Sequence, residues 1–385
     1  MQRSWRIGII GCGFIASEVH LPVLKQLGNV AIVAACDKDD RRLSHYGSLA
    51  GVAESGLYPD HRQMLLAANL DCAIVATPPS VHKEVVADCL NSGLGVLCEK
   101  PMAMSGDDAL AMLAVASQCQ RPLGVICNFL QFPEFVTLKQ VMGELGPKAP
   151  RLITIRGRGL GMDAVMIQNY LGGRQSGFVS CDHRGGVLRD YGVHAIYVAN
   201  YLLDAVPSAV TCVVQSAGHP GESVDTSVLC LLEYPTSHAA IDLSWEPRMT
   251  TDDRRFQRGS LDIDYDEALV EVSYLDRGDG LHAPALCVTA YDQAGKTVRQ
   301  IPPASPRERL FASFGATFDR WFESGMHLTG PDDTARVGAD AMVVVSACDR
   351  SSAARGTVRV EWQSNPDTSG ADAPSSPREE RAWQP

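Results

Sequence analysis

A turn restricts the fold of this chain more than any other feature. Gly11-Cys12-Gly13-Phe14-Ile15-Ala16 follows directly on the apolar run from Ile7 to Ile10. A buried strand that ends in glycines at this spacing and runs into a helix lets backbone approach a pyrophosphate and turns helix N–H groups toward the anion. A second apolar run, Val30 to Cys36, ends at Asp37, about 20 residues past Ala16, where an acid hydrogen-bonds a ribose diol. The turn is therefore expected to hold a dinucleotide on Gly11, Gly13, Phe14 and Ile15, with Asp37 and Lys38 at the ribose. A carboxylate there repels a 2′-phosphate, which favours NAD over NADP; Lys38 and Arg41 soften that preference.

The surrounding pattern agrees with such a turn. Arg6 to Ile10, Val30 to Cys36, Cys72 to Ala76, Gly95 to Cys98 and Leu123 to Cys127 are short apolar runs separated by amphipathic stretches. Strands buried on both faces and joined by helices imply parallel crossovers, so residues 1–128 are expected to form a doubly wound α/β domain with a parallel sheet. Beyond about Pro147 the runs alternate: Ala209 to Ser216, Ser227 to Glu233, Ala239 to Trp245 and Leu261 to Tyr274. Alternation predicts an antiparallel sheet covered on one face, hence an α+β domain over residues 129–363. Its covering helices are expected at Gly192 to Leu203, after Asp190, and at Arg307 to Glu323 and Asp332 to Arg355; the late pair could instead pack back on the first domain. Residues 364–385 are rich in Ser, Pro and charge and are expected to be disordered. No internal repeat is visible.

With 385 residues, two cores are expected, since single cores rarely grow beyond roughly 250–300 residues. A net charge of -11 argues against a nucleic-acid surface, which needs clustered Lys and Arg. No run reaches the roughly 18 apolar residues of a membrane span, and the start lacks a secretory pattern, so a cytoplasmic protein with no membrane partner is expected. The cysteines stand singly, without metal-ligand spacing; they read as core residues, and no metal is expected.

Two more strand ends carry polar groups. Ala76-Thr77-Pro78-Pro79-Ser80-Val81-His82 closes one apolar run in a rigid turn, at the kind of place where open α/β sheets bind ligands. Thr77 and Pro78 are expected to line the nicotinamide side; His82 has two readings, a cofactor contact or a core histidine. Glu99-Lys100-Pro101 closes the next run and sets an ammonium there. Asn128 ends the fifth, within reach of substrate or of the nicotinamide carboxamide.

These motifs, with Gly185-Gly186-Val187-Leu188-Arg189-Asp190-Tyr191-Gly192-Val193-His194 and Val224-Asp225-Thr226 further on, resemble the Gfo/Idh/MocA oxidoreductases. The resemblance implies a Rossmann domain followed by an open antiparallel sheet used for oligomer contacts, giving a homodimer or homotetramer. It also implies hydride transfer between NAD(P) and a secondary alcohol of a small polyhydroxylated substrate, a sugar or cyclitol. The positions that match the catalytic ones are Lys100, Asp190 and His194, with Glu99 beside the cofactor. Arg184 stands where many relatives have a third glycine. Gln175, Asp182, His183 and Arg184, with Tyr191, are the expected substrate contacts, and Trp245 joins Tyr191 as an aromatic that either flanks the sugar or belongs to the core.

Alcohol oxidation needs a base and a group that tolerates charge on oxygen. His194, with an ordinary pKa near 6.5, is the expected base, and Lys100 the cation that holds the oxygen. Asp190, four residues earlier, is expected to cap the helix from about Tyr191 and to pair with Lys100 or a hydroxyl. An oxidation that prepares an amino sugar for transamination, as in aminoglycoside-type antibiotic synthesis, is one expected role. NAD-dependent glycoside hydrolysis through transient C3 oxidation, or dinucleotide sensing without catalysis, are the alternatives.

Overall fold

A computed structural model describes residues 4–158, 186–216, 225–244, 259–275, 285–302, 304, 306–328 and 333–362. Six strands form the first sheet: β1 (Trp5–Ile10), β2 (Val30–Cys36), β3 (Leu57–Tyr58), β4 (Cys72–Val75), β5 (Gly95–Cys98) and β6 (Leu123–Val125). All neighbours are parallel, in the order β3-β2-β1-β4-β5-β6. The order reverses between β1 and β4, and a ligand crevice opens beyond the strand ends at that switch point. β4 and β5 are buried along their whole length, as continuous apolar runs require.

The second sheet has nine strands: β7 (Leu152–Arg158), β8 (Ala209–Gln215), β9 (Ser227–Glu233), β10 (His238–Ser244), β11 (Gly259–Asp264), β12 (Leu269–Leu275), β13 (Ala285–Asp292), β14 (Gly295–Gln300) and β15 (Val358–Arg359). Their order is β14-β13-β12-β11-β7-β10-β9-β8-β15, antiparallel throughout except for the parallel pair β7 and β10. The long run Leu261 to Tyr274 is not one strand. It breaks at Tyr265, whose N–H meets the Ala268 carbonyl, and Asp266-Glu267 makes the tip of a hairpin.

The late helices divide between the domains: one joins the first core, and the other packs on both. Helix Pro306–Glu323 lays Phe314, Phe318, Trp321 and Phe322 into the core of the first domain, with Ile7, Ile9, Ile74 and Leu97. Gly124 makes room for it, since a Cβ there would lie 2.7 Å from the Trp321 ring. Helix Thr334–Ala354 lies between the domains: it packs against helix Gly106–Cys119 and β6 on one side and against β8 on the other. A Cβ on Gly106 would lie 2.8 Å from Val343 Cα. Helix Val193–Leu203 covers the nine-stranded sheet as expected.

Apart from the half-buried Cys119, the described cysteines are all buried. Cys98, beside Glu99, has its thiol pushed well up by burial and is an inert core group. Cys212 and Cys230 face each other across β8 and β9 with sulfurs 2.7 Å apart, and Cys348 lies 3.6 Å from Cys230.

Candidate active site

The glycine turn has the geometry its sequence demands. Gly11 has φ +93°, and a Cβ there would lie 2.6 Å from the Ala76 carbonyl oxygen, so neither its conformation nor its neighbours admit a side chain. Nothing lies within 4 Å of a Cβ built on Gly13, leaving open space in front of the turn. The chain continues as π-helical turns over Ile15–His20, with Phe14 and Ile15 half-buried at its start. At the end of β2, Asp37 accepts the Cys12 N–H at 2.7 Å and the Asp39 N–H at 2.9 Å. That fixes the carboxylate beside the turn, while Lys38 points into solvent.

Three residues offered as cofactor contacts are committed elsewhere, and for His82 it is the second of its two readings that holds. His82 is fully buried, with Nε2 2.8 Å from the Thr77 carbonyl and Nδ1 3.1 Å from that of Pro101. It is a core histidine that ties the end of β4 to the end of β5, and burial lowers its pKa. Glu99 is also committed: Oε1 meets His20 Nε2 at 2.7 Å and Oε2 accepts the Lys100 N–H. It braces the π-helical segment against the strand that carries Lys100. Asn128, 3% exposed, gives its amide N–H to Ser313 Oγ on the helix inserted from the far end of the chain. Thr77 differs, because its Oγ1 is buried at the mouth of the crevice without a hydrogen-bond partner among the described residues, and Pro78 beside it is exposed.

Lys100, Asp190 and His194 come together. Lys100 Nζ donates to Asp190 Oδ1 at 2.8 Å and to the Asp190 carbonyl at 3.1 Å. Asp190 does not cap its helix. The helix begins earlier, with a π-helical turn over Leu188–Gly192 that runs on into Val193–Leu203; Asp190 sits inside that turn and aims its carboxylate at the lysine. His194, 4% exposed, stacks on Phe129 with ring centroids 3.9 Å apart. Its Nδ1 meets the Tyr197 hydroxyl, and Nε2 has no partner among the described residues. Burial and the Lys100 charge push its pKa well below the usual value, so the ring is neutral. Tyr191 is half-buried, its ring centroid 6.3 Å from that of His194.

The start of this helix is held by residues the sequence marked only faintly or not at all. Asp225 accepts the Leu188 N–H at 2.7 Å, and its carbonyl accepts the Val187 N–H. Gly186, φ +77°, lies so close to it that a Cβ would sit 2.0 Å from Asp225 Oδ1. Arg189 holds both carboxylate oxygens of Asp349 and the Met104 carbonyl. Gln175, Asp182, His183, Arg184 and Trp245 lie outside the described residues, as does the tail from 363 to 385.

Comparison with known proteins gives these geometries a lineage. Residues 5–126 match the model of an oxidoreductase family with an NAD-binding Rossmann fold, and residues 157–257 match the Gfo/Idh/MocA C-terminal domain. A D-apiose dehydrogenase of Paraburkholderia graminis is 30% identical over 275 residues, 70% of this chain and 68% of that enzyme. The chain belongs to the Gfo/Idh/MocA oxidoreductase family. Among solved structures, an Agrobacterium radiobacter oxidoreductase in complex with NAD+, L-tartaric acid and magnesium superposes with a TM-score of 0.77 at 21% identity, covering 93% of this chain and 98% of that one. GenD2 from gentamicin A biosynthesis, in complex with NAD, superposes at 0.73 with 19% identity, covering 94% and 97%. Family membership makes NAD the cofactor, and the residues present fit it. The open face of Gly13, the Asp37 carboxylate and the orphaned Thr77 hydroxyl all lie where β1, β2 and β4 end, around the switch point.

Proposed function

We propose that this protein moves hydride between NAD and a secondary alcohol or ketone of a sugar, amino sugar or cyclitol. The observation that carries the reading is the Lys100 ammonium held on Asp190, one helical turn before His194, at the end of the strand beside the cofactor crevice. Similarity to the apiose dehydrogenase and to GenD2 supports a polyhydroxylated substrate. The likeness to GenD2 also supports a place in aminoglycoside-type synthesis, where a keto group precedes transamination. Bound NAD supplies an acceptor or donor of hydride. The glycine turn would hold its pyrophosphate and Asp37 the ribose of its adenosine half, with Thr77 and Pro78 on the nicotinamide side.

On the protein's side, Lys100 and His194 address one substrate oxygen from two directions. Asp190 fixes the lysine by a side-chain and a backbone contact, so the ammonium does not search for its position. Phe129 and the apolar walls around His194 exclude water, which strengthens each polar contact to that oxygen. Tyr191 borders the same space and offers a flat ring to sugar C–H groups.

The test is a screen of sugars, aminoglycosides and inositols with NAD, followed at the NADH absorbance. Turnover is expected with at least one polyol, and Lys100→Met is expected to lower it by roughly 10²- to 10⁴-fold while NADH still binds. A protein that binds NADH but turns over none of these compounds, or a Lys100→Met variant as fast as wild type, defeats the reading.

A further inference from the structure

The hydrogen bonds around Tyr197 deepen that reading, and what His194 faces rests on it. Tyr197 is completely buried. Its hydroxyl accepts the Phe129 backbone N–H at 3.3 Å and lies against His194 Nδ1. A buried phenol has one proton to give and must find an acceptor for it. Among the described residues the acceptor in reach is Nδ1. Were Nδ1 itself protonated, the hydroxyl would face two donors, with its own hydrogen stranded in the core. The desolvation cost of such a stranded group makes that arrangement a minor one, disfavoured roughly 10- to 100-fold. The ring has no easy way to turn over: Phe129 stacks on one face, and Tyr197 meets it edge-on with centroids 5.3 Å apart at 69°.

We propose that Tyr197 is a positioning residue that locks His194 as the Nε2–H tautomer, so that the imidazole meets the substrate oxygen as a hydrogen-bond donor and the mobile proton belongs to Lys100. A neutral imidazole that polarises a carbonyl in this way needs no buried imidazolium at any stage, which agrees with the depressed pKa of His194. In the reducing direction the carbonyl carbon gains hydride from the reduced nicotinamide and the oxygen gains a proton from the Lys100 ammonium. Nε2–H supports the negative charge that builds on that oxygen. Lys100 is left as an amine and regains its proton from water, which reaches its side chain at 23% exposure. Oxidation is the same sequence reversed. The base suggested by residue type alone, His194, thereby becomes the group that stabilises charge, and Lys100 becomes the acid and base.

The test is spectroscopic and needs no substrate. Protein carrying ring-nitrogen-labelled histidine is held with NAD, and two-bond proton–nitrogen correlations report which ring nitrogen bears hydrogen. The His194 signals are those lost in His194→Asn. The wild type is expected to show a bare Nδ1 and a protonated Nε2. Tyr197→Phe is expected to lose that single pattern and show both tautomers, with turnover falling about twofold as the Nε2–H share drops from nearly all of the population to about half, while NADH binding persists. A wild-type ring protonated at Nδ1, alone or together with Nε2, overturns the proposal whether or not the variant folds. So does a Tyr197→Phe protein with both pattern and turnover unchanged. If no polyol is oxidised, the functional reading fails, and the ring spectrum still decides the tautomer.

Discussion

Asp37 shows how much one side chain can decide. Its two oxygens take backbone N–H groups from the glycine turn and from the start of the next helix, so the carboxylate is fixed beside the turn and, on the proposed reading, could not swing away from a 2′-phosphate. Asp37→Ser removes the charge and keeps a short acceptor. The ratio of kcat/KM for NADP to that for NAD is expected to rise by at least about tenfold, the equivalent of roughly 1.4 kcal/mol of relieved like-charge contact; a ratio that stays put would show that specificity lies elsewhere. The place of Asp37 beside the glycine turn was legible because strand, turn and acid have a fixed spacing, and the meeting of Lys100, Asp190 and His194 was legible from an ordered set of motifs. Glu99, His82 and Asn128 were not. Each is a polar residue at a strand end, and sequence marks the position without telling which way the side chain turns. All three turn inward, to His20, to backbone carbonyls and to Ser313.

Among the elements, the helix start at Leu188 depends most on a distant partner. Its N–H bond goes to Asp225 at the head of β9, and nothing near Leu188 in sequence announces that. Asp225 is half-buried, and desolvation raises its pKa to about 6 despite the Leu188 N–H. The unfolded chain releases this proton near 3.9, so between those values the folded state holds a proton that the unfolded state has lost. Its contribution to stability is present below about pH 4 and declines as pH rises through about 6. Asp225→Asn keeps an oxygen for Leu188 and removes the buried charge. The variant is expected to gain on wild type by on the order of 1–2 kcal/mol between pH 4 and pH 7, measured by urea unfolding at both values; a gap that does not change with pH would refute it. The hairpin at Tyr265 is hidden in the sequence for a related reason. Alternation continues on both sides of the turn, and the two-residue tip contains no glycine or proline.

At the scale of the whole molecule, the chain leaves the first domain, builds the second, and returns. The aromatic face of Pro306–Glu323 completes the core around Ile7 and Ile74, so the dinucleotide-binding half cannot be complete without the far end of the chain. The nine-stranded sheet is covered on one face by helices and carries apolar side chains on the other. Along β9, Val228, Cys230 and Leu232 are buried, whereas Leu229 is 58% and Leu231 39% exposed; Val213, opposite Leu229 on β8, is 50% exposed. A half-buried antiparallel strand ordinarily alternates apolar with polar. Apolar residues on the outer face, adjacent across two strands, form the kind of patch that a partner covers. We propose that a second copy of the chain covers it, making a homodimer or the building block of a tetramer. Leu229→Asp places one charge per protomer into that contact, where neither charge has a partner and both must be desolvated. Light scattering is expected to show the wild type as an oligomer and Leu229→Asp at the mass of a single chain, with NADH affinity retained because the cofactor crevice lies in the other domain. A wild type that is a monomer at micromolar concentration, or a variant that stays assembled, would move the interface off this face and leave Val213, Leu229 and Leu231 as solvent-facing residues of an isolated protomer.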